Sequence, residues 1–403
     1  MYRLLSDNKT SRRPLGMLFF ALFNSVMGLS ILFPVLAPLG RKLGLSEFQV
    51  GSLSAAYAGM QLLASPVWGR QSERRGRKPI LLLGICGFAA SFYLFALAAE
   101  LGLRQKLPHI ALYAALLGAR LVGGTFSSAT MPTAQAYVAD VTERSDRTSG
   151  MAVIGAAFGL GIIVGPGIGA GLAHFGLLTP VYASASLAVV NALFVWWRLP
   201  EPERASRTET QSHRPGPRRW LPLLALALLI TLAAVSMEQT IAFSIQDRLH
   251  LSAEGTPRQV GIALVVYGLV AVFVQGFLVR RFGWSPRTLL RLGAPIAAVG
   301  LVGLAFAQHF PLLTAALAVQ GCGQGLALPG ITSAISLEAP DDLQGVAAGY
   351  NSSAQALGRL LGPLIGTGLY QWRPPAPYLL GAAFLLVVVI TLALRPRLGV
   401  GSD

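Results

Sequence analysis

The chain has 403 residues, 53% of them hydrophobic and 12% charged, with a mean hydropathy of +0.59 and a net charge of +15. Soluble domains carry roughly 25% charged residues, so this chain cannot coat several globular surfaces with polar groups, and a bilayer must cover the remainder. Disordered, collagenous and disulfide-framed chains are excluded too, since apolar content is high, glycine has no period of three and there are two cysteines.

A helix crossing ~30 Å of hydrocarbon needs ~20 mostly apolar residues. In chain order such segments fall near 15–39, 48–69, 79–101, 109–136, 148–173, 178–198, 220–247, 258–280, 286–308, 310–335, 343–370 and 374–395. The first is too long in its apolar stretch, and lacks the small-residue cleavage site, for a removable signal; it is read as helix one. Cys86 and Cys322 lie inside apolar runs and read as small buried hydrophobes rather than ligands or redox groups.

The basic residues orient the array. With both termini cytoplasmic, the inner segments hold 23 of the 32 Lys and Arg residues and the outer gaps hold 7, while Arg120 and Arg359 lie within spans. The positive charge therefore belongs to membrane topology, and no nucleic-acid partner is expected. Residues 199–219 are polar, rich in Pro, Ser and Thr, and without apolar periodicity. They read as a cytoplasmic linker between two six-helix bundles, 1–198 and 220–403.

An internal repeat appears at a shift of 197 residues. Leu160, Gly161, Gly165, Pro166, Ile168, Gly169, Gly171 and Leu172 meet Leu357, Gly358, Gly362, Pro363, Ile365, Gly366, Gly368 and Leu369. A second match, at a shift of 207, pairs Gly69, Arg74, Gly76 and Pro79 with Gly276, Arg281, Gly283 and Pro286. Both preserve helix order and direction, so the halves are read as parallel repeats about an axis along the membrane normal.

The gap after helix two reads Gly69-Arg70-Gln71-Ser72-Glu73-Arg74-Arg75-Gly76-Arg77-Lys78-Pro79. An acidic residue inside a basic cluster can hold a latch that one conformation makes and another breaks. This segment resembles the loop motif of the major facilitator superfamily, Gly-x-x-x-Asp-Arg-x-Gly-Arg-Lys, with Glu73 where Asp is usual. Arg120 followed by Gly123 and Gly124 resembles the superfamily's intramembrane Arg motif. Gly161, Gly165, Pro166 and Gly169 resemble the helix-five motif of its antiporter branch, and Leu199-Pro200-Glu201 resembles the end of helix six in drug/proton antiporters. The resemblance covers all twelve spans, extends to the drug/proton antiporter (tetracycline-efflux-like) branch, and implies an all-α membrane fold of two six-helix parallel repeats.

By the same resemblance, Gly69, Glu73, Arg74, Gly76 and Arg77 form a cytoplasmic gate with Asp140, in which Glu73 and Arg77 cluster with Asp140 and Glu73 faces the N-terminus of helix eleven. Arg280 stands at the acidic position of the second-half copy, so a matching second latch is not expected. In helix five, Pro166 removes a backbone hydrogen bond and the glycines admit a close neighbour. Helix packing alone accounts for them; the resemblance adds a tightly sealed helix that resists leakage.

An ionised group at mid-bilayer is costly unless paired or hydrated, which singles out Arg120, Arg359 and Glu238. Arg120 lies about 16 Å and Glu238 about 13 Å from the outer ends of their helices, at a rise of ~1.5 Å per residue. A structural ion pair or a reach toward the interface is the alternative for each. Glu238 is the one acidic residue well inside a span, and a carboxyl that changes exposure and partner can carry a proton. It is read as the coupling site, with Arg120 or Arg359 as electrostatic partner. Drug/proton antiporters often carry Asp in helix one; the corresponding position here holds Ser25, beside Asn24. Two cavity Arg residues would alternatively suit an anionic substrate, leaving Glu238 structural.

Polar residues Asn24, Gln61, Gln135, Asn191, Gln239, Gln275, Gln320, Gln324, Asn351 and Gln355 line the cavity or join helices. Cavity-lining helices one, four, seven and ten, implied by the resemblance, favour Asn24, Gln135, Gln239, Gln320 and Gln324. Tyr57, Tyr137, Tyr267, Tyr350 and Phe243 stack on substrate or face lipid.

The resulting expectation is a secondary transporter in the bacterial cytoplasmic (inner) membrane. It exports a small lipophilic, zwitterionic or anionic solute against protons by alternating access, as a monomer without cofactor or metal. A metabolite uniporter or proton symporter of the same fold is the alternative. No Walker, zinc-protease or nucleophile-elbow motif occurs, so neither ATP drive nor an enzyme is expected.

Overall fold

The computed structural model describes residues 3–142, 147–202, 220–340 and 343–395, which are helices joined by short turns. The first half contains α1 (Arg3–Ser30), α2 (Phe33–Lys42), α3 (Glu47–Arg75), α4 (Arg77–Leu103), α5 (His109–Ser127), α6 (Thr130–Val141), α7 (Arg147–Ala173) and α8 (Thr179–Arg198). The second contains α9 (Leu221–Arg248), α10 (Thr256–Phe273), α11 (Val279–Phe282), α12 (Pro286–Phe306), α13 (Phe310–Leu337), α14 (Gln344–Trp372) and α15 (Ala376–Leu394). Most of the expected linker, residues 203–219, lies outside the described residues, as do Arg144 and Arg397.

Twelve spans account for these fifteen helices, because three spans are interrupted. Span one breaks between α1 and α2, where Pro34 has no N–H to continue the ladder and the Ser30 hydroxyl donates to the carbonyl of Gly161 at 2.8 Å. Span four breaks after Ser127, beside hydroxyls that bond back into their own turn: Thr125 to Leu121 O at 2.8 Å and Ser128 to Thr125 O at 2.6 Å. Span eight passes through a π-helical turn, Val274–Leu278, before α11. Ten of the twelve are apolar enough to be recognised by length and composition; α3 and α14 are too polar, carrying Gln61 and Arg70, and Asn351, Gln355 and Arg359. Proline occupies the first turn of α8, α9, α10, α12, α13 and α15, where its missing N–H costs no bond.

The helices form two compact units. Among the described residues, the first comprises those up to Leu32 and from Ala56 to Pro202; the second comprises Phe33 to Ala55 and everything from Trp220 onward. Thus α2 packs with α9 and α10, and the start of α3 lies on α14.

Many large apolar side chains point outward, among them Leu63, Trp196, Trp197, Phe277, Leu386 and Leu394. A patch of this kind is stable only against hydrocarbon. Cys86 is also exposed on α4, correcting the expectation of a buried thiol, and Cys322 is half-buried.

The repeat found in the sequence reappears in packing. In the first unit α7 lies on α1: a Cβ on Gly161 would come 2.9 Å from Met27 N, and one on Gly165 would come 2.9 Å from Met27 O. In the second, α14 lies on α9: a Cβ on Gly366 would come 2.9 Å from both Cα and O of Ser236. Serine hydroxyls reinforce both contacts, Ser30 to Gly161 O and Ser236 to Gly362 O at 3.1 Å. Gly362 aligns with Gly165, so the second serine is displaced by one turn. Gly76 and Gly283, paired by the weaker match, both take positive φ, +102° and +56°.

Candidate functional site

The charged loop folds around the start of α4. Arg77 is buried, its Nε donating to Asp140 Oδ2 at 2.7 Å and its Nη1 to the Ser72 hydroxyl at 2.7 Å. The two ionic side chains are 9% and 6% exposed, so the pair is largely removed from water. Gly76 sits at the N-cap of α4 with positive φ, which a side chain would strain. Gly69 meets Pro132 only at ordinary contact distance, and Arg74 is exposed.

Glu73 departs from the expected cluster. It is exposed and makes no hydrogen bond or ion pair among the described residues. Its place is taken by Glu201, whose carboxylate accepts from the backbone N–H of Arg77 and, at 2.9 Å, of Lys78. Those are the first two N–H groups of α4, which have no intrahelical acceptor, and a carboxylate there also meets the positive end of the helix dipole. The neighbouring Tyr137 hydroxyl donates to Pro200 O at 2.9 Å, holding the end of α8 against α6.

Arg120 lies on α5, 4% exposed, with its guanidinium 4.4 Å from the ring centre of Tyr57 and 5.8 Å from that of Phe92. Gly123 and Gly124, one turn further on, make this possible. A Cβ on Gly124 would come 2.8 Å from Met60 Cβ, so only glycine lets α3 approach and slide the Tyr57 ring beneath the charge. Ser127 donates to the Tyr57 hydroxyl at 2.7 Å.

The second unit repeats the theme. A Cβ on Gly321 of α13 would lie 2.7 Å from the carbonyl of Tyr267 on α10. Tyr267 is nearly buried and lies within the electrostatic reach of Glu238 on α9. Arg359, on α14, also interacts electrostatically with Glu238, and no direct ion pair closes between them. The sequence left Arg120 and Arg359 open as partners; of the two, Arg359 shares a unit with Glu238, on an exposed face of α14.

The polar residues divide. Asn191 joins α8 to α1, donating to Ala21 O at 2.9 Å and to the Ser25 hydroxyl at 3.1 Å. Gln61 donates to Ser127 Oγ at 3.5 Å, and Asn351 to Thr332 Oγ1 at 3.4 Å. Asn24, Gln239 and Gln324 are half-buried and Gln135 is exposed, each without a hydrogen bond among the described residues. Gln320 is 1% exposed, and its Oε1 has no hydrogen-bond partner among those residues. Tyr57, Tyr137, Tyr267 and Phe243 are buried between helices, and the half-buried Tyr350 packs 6.0 Å from Trp220.

Known proteins resemble this chain over most of its length. The chain is 28% identical over 393 residues to Multidrug resistance protein 1 of Bacillus subtilis, covering 94% of this chain and 95% of that protein. It is 29% identical over 393 residues to the class C Tetracycline resistance protein of Escherichia coli, covering 90% and 91%. Among solved structures, a bacterial homolog of the human lysosomal transporter Spinster superposes with a TM-score of 0.76 at 14% identity, covering 95% and 96% of the two chains, a likeness of fold. The Major Facilitator Superfamily model matches residues 18–308 and 255–401, and the chain belongs to that superfamily of multi-pass membrane transporters.

Proposed function

We propose that this transporter is a proton-coupled exporter working by alternating access, with Glu238 as the proton carrier and Arg359 as its electrostatic partner. The observation that carries this reading is a half-buried carboxylate inside α9 that makes no hydrogen bond or ion pair among the described residues, in the same unit as the Arg359 guanidinium of α14. Such a carboxylate is free to take up a proton when its surroundings dry or the guanidinium recedes, and to lose it when either returns. Protonation then sets which side the pathway faces.

The substrate class follows from relatives whose names record multidrug and tetracycline resistance: a small lipophilic or zwitterionic solute. The excess of basic residues on one set of loops supports a bacterial cytoplasmic membrane with both termini inside. Gly69, Arg74, Gly76, Arg77 and Asp140 then belong to the cytoplasmic gate, to which Glu201 is added; Glu73 would join only in the opposite state. Gly161, Gly165, Pro166 and Gly169 form the seal of α7 against α1. Asn24, Gln135, Gln239, Gln320 and Gln324, on the helices that line a pathway in this fold, would face the substrate, with Arg120 holding the first half's aromatic pocket.

Reconstituted vesicles test the reading. Export of ethidium or tetracycline by the wild type accelerates when an inward proton gradient is imposed, and vesicle pH rises or falls with substrate flux. Glu238→Gln is expected to keep exchange of substrate for substrate and lose gradient-driven accumulation. Undiminished gradient-driven accumulation in that variant contradicts the proposal, and cotransport of proton and substrate in one direction would make the protein a symporter.

A further inference from the structure

The second unit contains a charge network that the transport reading does not use. Arg41, at the end of α2, donates from Nη1 to Asp247 Oδ1 and from Nη2 to Asp247 Oδ2 at 2.9 Å, a two-pronged contact with the last turn of α9. The same guanidinium donates to Glu47 Oε1 at 2.8 Å and to Gln246 Oε1 at 3.3 Å. Tyr370 of α14 donates its hydroxyl to Asp247 Oδ2 at 2.6 Å. Beneath them lies the fully buried Phe243, 4.9 Å from the guanidinium carbon and 5.9 Å from the Tyr370 ring. Elements distant in sequence, α2 and α14, thus converge on one aspartate of α9.

Close packing completes this end of the unit. A Cβ on Gly51 of α3 would come 2.7 Å from the carbonyl of Pro363 on α14, so the start of α3 lies directly on that helix. The ionic groups themselves stay partly wet: the Arg41 and Asp247 side chains are 25% and 39% exposed. That separates them from Arg77 and Asp140. Parting a buried pair strands bare charge, whereas parting a half-hydrated, two-pronged pair costs little more than its own attraction. A neighbouring contact, Lys42 to Glu254, is more exposed; the Lys42 hydrogen bond holds the Glu254 carboxyl below its ordinary range, but in water this contributes little.

We propose that the Arg41–Asp247–Tyr370 network is the latch that closes the outer end of the transport pathway, and that it must part each time the pathway faces outward. The inference rests on the alternating-access reading but not on the role of Glu238. Asp247 and Tyr370 lie on α9 and α14, the helices that carry Glu238 and Arg359, so parting the latch moves the elements that hold the proton site.

The test is a distance distribution. Spin labels on Phe48→Cys and Arg258→Cys, both exposed at this end, are read by pulsed electron paramagnetic resonance in full-length protein in nanodiscs, with Cys86 and Cys322 replaced by Ala. In the wild type a short distance should dominate. Asp247→Asn and Arg41→Gln should each raise the long-to-short ratio about tenfold. Glu47→Gln removes only a contact within the α2–α3 turn and should shift it less than about twofold. Tyr370→Phe provides a milder break should the charge variants fold poorly, with an expected shift of about threefold to fivefold. Two populations in the wild type that no latch variant redistributes would overturn the latch alone. One fixed distance in the wild type under every condition of pH and substrate would overturn alternating access itself.

Discussion

The Arg77 guanidinium and the Asp140 carboxylate form a nearly dry ion pair at the foot of α4, and the Glu201 carboxylate caps the same helix one residue away. Geometry divides the work: the pair fixes α3 and α4 to α6, while the cap ties the end of α8 to the start of α4.

Removing one partner of the pair should be far worse than removing both. Asp140→Asn leaves a buried guanidinium without its counter-charge, with an expected cost of about 3 kcal/mol, whereas Arg77→Met with Asp140→Leu should recover much of that loss. Thermal unfolding in detergent, comparing Tm of the single and double variants, checks the order.

Glu201→Gln keeps the shape of the cap and loses its charge. An exposed carboxylate at a helix N-terminus is worth roughly 0.5–1 kcal/mol, so this variant should be measurably but mildly destabilised, and Glu201→Ala more so. A matching substitution at Glu73 should leave Tm unchanged. Amide exchange at Arg77 and Lys78 reads the cap directly and should accelerate in both Glu201 variants.

Glycines of α7 and α14 should split into two classes. Gly165→Ala and Gly366→Ala force a methyl against a neighbouring backbone and should cost ~1–3 kcal/mol each and slow transport. Gly155→Ala and Gly171→Ala, on open faces of α7, should be neutral or stabilising by up to ~1 kcal/mol. Equal effects at all four positions would mean that close packing on α1 and α9 is not what these residues provide.

Tyr57 offers its ring to Arg120 and its hydroxyl to Ser127. Tyr57→Phe loses only the hydrogen bond, about 1 kcal/mol, while Tyr57→Leu also loses the cation–π contact, a further ~1–2 kcal/mol. Transport rate and stability should fall in that order, and Ser127→Ala should resemble Tyr57→Phe.

How far the sequence disclosed this molecule depends on the range of the interaction. Spans are legible because the bilayer reads hydropathy locally, and even α3 and α14, too polar by composition alone, are marked by the repeat and the charged loop beside them. The interruptions after Ser30 and Ser127 are not, since they involve hydroxyls whose bonding partners the sequence does not name. Glu238 stands out as a lone acidic residue in an apolar run, and the glycines of α7 as a repeated motif. Glu201, 124 residues from the N–H it accepts, was visible only as part of a familiar tripeptide. Arg41 and Asp247 are 206 residues apart, and nothing in either neighbourhood announces the other. Tyr57 and Tyr267 read as generic aromatics until the facing glycines place Tyr57 beside Arg120 and Tyr267 against α13.

Proton exchange at Glu238 is the central claim, and proton counting in solution tests it most directly. When tetracycline or tetraphenylphosphonium is added to purified, weakly buffered protein near neutral pH, a pH indicator should record release of roughly one proton per bound ligand from the wild type. Under the same conditions Glu238→Gln should bind the ligand and release none. Full release from Glu238→Gln would contradict the account.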